Sequence, residues 1–129
     1  MRWRSIVFMT VVLVFSLSGP AASQEWVDIK DPKELRALHS NKTFKGTFEG
    51  RPFVQHFRAD GKGINISGEQ RMSLTWEVKG DDQVCVSSES GTNCFRFQHS
   101  KKNPDEYVKR HVSQPWFLMI KVEDGIPQF

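Results

Sequence analysis

The side chains in this sequence with the reach to do chemistry near neutral pH are four histidines and two cysteines. His39, His56, His99 and His111 are candidate general bases or metal ligands, because imidazole titrates close to neutrality. Acids to pair with them are plentiful, at 15 Asp and Glu in 129 residues. Yet the chain carries no nucleophile elbow, H-E-x-x-H, phosphate-cradling glycine loop or EF-hand pattern. Spacing names no third ligand for a metal, so no metal and no cofactor is expected. Cys85 and Cys94 are separated by eight residues. A redox pair would read C-x-x-C, and a zinc site would need four ligands where only the isolated His99 stands near. A cross-strand disulfide remains.

Alternation decides which way these groups face. His56 shares a face with Val54 and Arg58, opposite Phe53 and Phe57; His111 shares one with Tyr107 and Lys109, opposite Val108 and Val112. With phenylalanines and valines inward, both histidines are expected in solvent, and His56, His111 and Arg58 form the candidate polar site. Lys101, Lys102, Lys109, Arg110, Arg58 and Arg96 are expected on a solvated surface, because Lys109 and Arg110 alternate and Asp105 and Glu106 interrupt them.

The compartment is read from the N-terminus. Arg2 and Arg4 precede an apolar run from Ile6 to Leu17, and Ala21 and Ser23 are small residues at the −3 and −1 positions of a cut before Gln24. That is the pattern of a secretory signal peptide. The run falls short of the roughly 20 residues that span a bilayer, so residues 1–23 are expected to be removed and the exported chain not to cross a membrane. What remains is one domain, 24–129, with 16 basic residues against 15 acidic once Arg2 and Arg4 are gone. A charge so nearly balanced gives no footprint for nucleic acid. Export to an oxidising space in turn favours the disulfide.

The elements that must hold these residues follow from period and punctuation. Asp31, Pro32 and Glu34 are an N-cap, a proline at the first helical position and an acid at the third, and Leu35 and Leu38 share a stripe. The spacing predicts a short helix over about 32–39. Beyond it the period is two. Phe44, Gly46 and Phe48 share a face, as do Phe53, Gln55 and Phe57, then Met72, Leu74, Trp76 and Val78. A hairpin over 83–98 turning at Glu89 and Ser90 sets Cys85 opposite Cys94, with Val84, Val86, Phe95 and Phe97 on the other face. "EYVKRHV" and "WFLMIKV" complete about eight strands. Serial hairpins of this spacing predict a small antiparallel lipocalin-like barrel or half-barrel.

Eight strands enclose a space that side chains fill or that holds one small ligand. Phe57, Trp76, Phe97 and Trp116 are the candidate ligand-facing residues. On the last strand Phe117 and Met119 lie opposite Trp116, Leu118, Ile120 and Val122, and the helix is expected to cover them with Leu35 and Leu38, a partner- or ligand-binding patch being the alternative.

The ordered segments "DPKELRALHSNKTFKG", "HFRADGKG", "TWEVKGDDQVC", "NCFRFQ" and "NPDEY" resemble a family of small exported proteobacterial proteins, domain of unknown function 995. The resemblance spans nearly all of the chain from Trp26 and is most specific in W-x-V-x-G-D-D-x-x-C followed by N-C-F-R-F. It implies export in a Gram-negative bacterium, to the periplasm, and brings no activity or catalytic residue. The function expected is therefore a periplasmic or secreted, non-enzymatic barrel module for a small apolar ligand or an envelope protein. A small envelope enzyme with a histidine base and a purely structural envelope protein are the alternatives.

Overall fold

The computed structural model describes residues 25–129. The signal-peptide expectation for residues 1–23 lies outside them. In chain order the elements are β1 (Trp26–Asp28), α1 (Pro32–His39), β2 (Lys42–Phe48), β3 (Arg51–Phe57), β4 (Lys62–Ser67) and β5 (Gln70–Lys79). They continue with β6 (Gln83–Ser88), β7 (Gly91–Ser100), β8 (Glu106–His111) and β9 (Phe117–Asp124). Every neighbouring pair from β2 to β9 is antiparallel, and β9 pairs back with β2. The eight strands thus close into a barrel. Closure leaves none of these eight strands as a free sheet edge. β1, which the alternation did not reveal, adds to β7 through Trp26–Ser100 to Asp28–Gln98.

Tight turns make this meander. Gly61, Gly68, Gly80 and Gly91 take positive φ at the successive hairpins. Two strand glycines serve closure instead: a Cβ on Gly63 would lie 2.7 Å from the His56 carbonyl oxygen, and one on Gly46 would lie 2.9 Å from that of Met119. Such close backbone approach is what a small barrel demands at its bends.

The helix forms where its signals stand. Asp31 has an extended backbone, its carboxylate accepts from the Lys33 N–H at 2.9 Å, and Pro32 opens the first turn. Its apolar stripe does not cover Phe117 and Met119. Leu35, Leu38 and His39 are buried, and the helix packs on β2, β5 and β6, plugging one end of the barrel. Phe117 and Met119 face outward, 50% and 48% exposed, with the Arg110 guanidinium 5.0 Å above the Phe117 ring. A helix of eight residues has one narrow apolar stripe, and the open end of an aromatic-lined barrel buries more of it than two residues on a wall.

Cys85 and Cys94 are register partners on the outer face of β6 and β7 and are joined by a disulfide. Val84, Val86, Phe95 and Phe97 belong to the core, as the alternation required.

Candidate functional site

The barrel interior has two levels. Next to the plug, the His39 ring sits within 4.8–5.2 Å of the rings of Phe44, Phe57, Trp76 and Phe97. Its Nδ1–H donates to the Leu35 carbonyl at 2.8 Å, which leaves Nε2 as a buried acceptor without a partner among the described residues. Burial outweighs the raising effect of the Leu35 hydrogen bond and, with a smaller push from the nearby Lys109, holds the His39 pKa down at about 3. His39 is therefore a neutral part of an aromatic core. Three candidate ligand-facing residues, Phe57, Trp76 and Phe97, lie in this filled level. The Trp76 indole N–H donates to the Arg58 carbonyl at 2.8 Å, which fixes that ring.

Toward the other end the interior opens into a cup of about 720 Å³. Phe53, Met72, Phe95, Trp116 and Leu118 form its apolar wall; Gln55, Asn65, Asn93 and Lys109 are its polar groups; Phe48, Glu49, Arg51 and Ser67 stand at its rim. It exceeds the groove beside the plug, about 530 Å³, which is bordered by Glu34, Lys42, Asp105 and Asp124. Of the four candidate ligand-facing residues, Trp116 alone lines the cup. It packs against Phe48 and Phe95 at ring distances of 5.5 and 5.8 Å.

Lys109 overturns the expected facing of β8. Phe95 and Phe97 point inward on β7, their register partners are His111 and Lys109, and partners across a ladder share a face. Tyr107, Lys109 and His111 consequently face the interior, and Val108 pairs with Met119 on the outer face. Lys109 is 2% exposed rather than solvated. Its Nζ donates to Gln55 Oε1 at 3.1 Å and sits 4.3 Å from the Phe95 ring centroid. Contacts of this kind favour the ammonium. Burial works the other way and brings the Lys109 pKa down to about 7.

The candidate polar site comes apart. His111 is buried at the mouth, where its Nδ1 accepts the backbone N–H of Ser113 at 3.1 Å and of Gln114 at 3.2 Å. Its Nε2–H then donates to Asn93 Oδ1 at 2.9 Å, so no lone pair is free to serve as a base. His56 lies on the outside of the barrel yet is buried, because the chain after β9 folds over it. There the Thr43 hydroxyl donates to the Gly125 carbonyl at 2.7 Å, and His56 Nδ1–H donates to Thr43 Oγ1 at 2.8 Å. Desolvation, then Arg71 and Lys45, lower the His56 pKa. Arg58 joins the same tail by donating to the Phe129 carbonyl at 3.1 Å, and it pairs with Asp60 at 2.6 Å. His56 and Arg58 are thus separated from His111 by the barrel wall. The expectation of two solvent-exposed histidines fails at both positions, once through an inverted strand and once through the tail.

Among the described residues neither ring hydrogen-bonds a carboxylate. No group of three His, Cys, Asp or Glu side chains gathers among the described residues. What the arrangement does offer is an apolar cup with an amine and carboxamides deep within it.

No family profile, curated protein or solved structure matches this chain.

Proposed function

We infer that this chain is an exported, non-enzymatic barrel protein that takes up one small, largely apolar molecule through the open end of its barrel. The cup carries the reading. Its volume of about 720 Å³ lies in the range of small-molecule sites, about 300–1,000 Å³, and such sites combine an apolar lining with a few convergent polar groups. Phe53, Phe95, Trp116 and Leu118 supply the first, and Gln55, Asn93 and Lys109 the second.

Export is supported by the Cys85–Cys94 disulfide, which persists in oxidising compartments, and by the leader pattern of residues 1–23. The resemblance of its motifs to domain of unknown function 995 favours the Gram-negative periplasm as that compartment. An envelope protein as the bound partner has less to support it. The exposed pair Phe117 and Met119 is small, whereas the cup is a formed concavity.

Titration of the exported chain with the neutral fluorophore N-phenyl-1-naphthylamine tests the reading. One saturable site is expected, with quenching of tryptophan emission through Trp116. In Leu118→Trp, where the larger ring takes the place of ligand against the Phe95 and Trp116 wall, binding should fall by about tenfold, the scale set by losing part of a buried apolar contact. Absence of saturable binding, or unchanged binding in Leu118→Trp, would refute it.

A further inference from the structure

We propose that the ligand is an amphipathic monocarboxylic acid whose carboxylate meets Lys109 and Gln55 at the floor of the cup while its apolar portion lies against Phe53, Phe95, Trp116 and Leu118. This rests on the cup being a binding site, as inferred above, and names the chemistry of its occupant.

The donor and acceptor inventory at the floor leans toward donors. Gln55 Oε1 is taken by Lys109, and Asn93 Oδ1 is taken by His111. The groups left to face the cup are the remaining N–H bonds of Lys109 Nζ, the amide N–H₂ of Gln55 and Asn93, and the Asn65 carboxamide, which adds one acceptor oxygen beside its own N–H₂. Donors thus outnumber the single acceptor, and an ionised carboxylate only accepts. Charge points the same way. A buried ammonium is costly unless a counter-charge meets it. None of the ion pairs among the described residues involves Lys109, whose only polar partner is a neutral amide. A single negative charge balances it; a phosphate monoester, with nearly two, would leave an excess in an apolar wall.

The protonation of Lys109 makes this reading testable through pH. From α1 the neutral His39 faces it across the shared rings of Phe44, Phe57 and Phe97. Along β8 its interior neighbours are His111 and Tyr107; Glu49 and Arg51 stand above it at the rim; β7 and β9 present Phe95, Phe97, Leu118 and Ile120. With its pKa near 7 in the empty cup, Lys109 must take up a proton to receive a carboxylate above that pH. Affinity for the acid then falls by about tenfold per pH unit above 7, while affinity for a neutral analogue does not change.

The experiment is displacement of N-phenyl-1-naphthylamine by decanoate and by decanol from the exported chain, at pH 6.5 and 8.5. Decanoate is expected to displace at a concentration about tenfold or more below decanol at pH 6.5, the scale of a charge-assisted hydrogen bond, and to lose that advantage at pH 8.5. Lys109→Met should bind the fluorophore and treat the two competitors alike. Equal displacement by decanoate and decanol from the wild type, with the fluorophore bound, would overturn the acid and leave the cup standing. No saturable binding of the fluorophore together with no calorimetric signal for decanoate would overturn both. Should Lys109→Met fail to fold, the wild-type ratio and Gln55→Leu, which removes one donor and is expected to narrow the ratio, decide the matter.

Discussion

His39 and Lys109 are two ionisable side chains inside one small barrel, and each makes folding depend on pH in a defined window. His39 has a pKa of about 3 in the folded chain against 6.5 ordinarily, so between those values the unfolded chain holds the extra proton. Acidification through that window therefore costs stability, by about 1.4 kcal/mol per pH unit. Lys109 titrates near 7 folded and 10.5 ordinarily, and again the unfolded chain holds the extra proton in between. Stability should rise from pH 7 toward 9 by about 1 kcal/mol per unit, and below pH 7 the full cost of the buried ammonium is present. Urea denaturation from pH 3.5 to 9 measures both. His39→Phe, which keeps a ring among Phe44, Phe57, Trp76 and Phe97, should flatten the acid limb. Lys109→Met should flatten the alkaline one and raise stability at pH 6.5. Retention of the acid slope in His39→Phe would show that other groups cause it.

The helix and β8 mark what short elements reveal. A cap, a proline and two leucines announce α1, but its target is set by what the barrel leaves open. Leu35 is fully buried against the barrel end. Leu35→Ala should cost about 3 kcal/mol, the usual loss for a leucine that leaves a cavity, measured by the urea midpoint. A loss below about 1 kcal/mol would mean that α1 does not plug the barrel. In β8, "EYVKRH" offers valine on one face and Tyr, Lys and His on the other, and hydrophobicity alone selects the valine face. The pairing of Phe97 with Lys109 and of Phe95 with His111 decides otherwise. A signal existed in the five-residue loop between β7 and β8, since its length sets which β8 residue meets Phe97. Composition cannot report that phase. A one-residue slip would exchange the faces.

Across the molecule, closure and the disulfide divide the work of stability and of binding. The bridge lies on the outer face of β6 and β7, away from the cup. On the loop-entropy account, removing it costs about 2–3 kcal/mol. Cys85→Ala/Cys94→Ala should accordingly unfold at lower urea and bind N-phenyl-1-naphthylamine as the wild type does. Loss of binding in a folded double variant would place the bridge in the architecture of the cup. Among the described residues no helix is long and apolar enough to cross a membrane.

The sequence by itself determined what local rules can carry. Asp31, Pro32 and Glu34 start a helix wherever it docks; period two and turn glycines make serial hairpins; and the apolar register of 83–98 coincides with the opposition of Cys85 and Cys94. From these the barrel and the disulfide were both legible. Only the tertiary structure decided that Leu35 and Leu38 plug an end, that the chain after β9 buries His56, and that Lys109 and His111 turn inward. It also decided that Phe57, Trp76 and Phe97 are spent on the His39 core while Trp116 remains for the cup. Each of these depends on a partner distant along the chain. Alternation fixes which residues share a face, but only the pairing of strands fixes which face is inside.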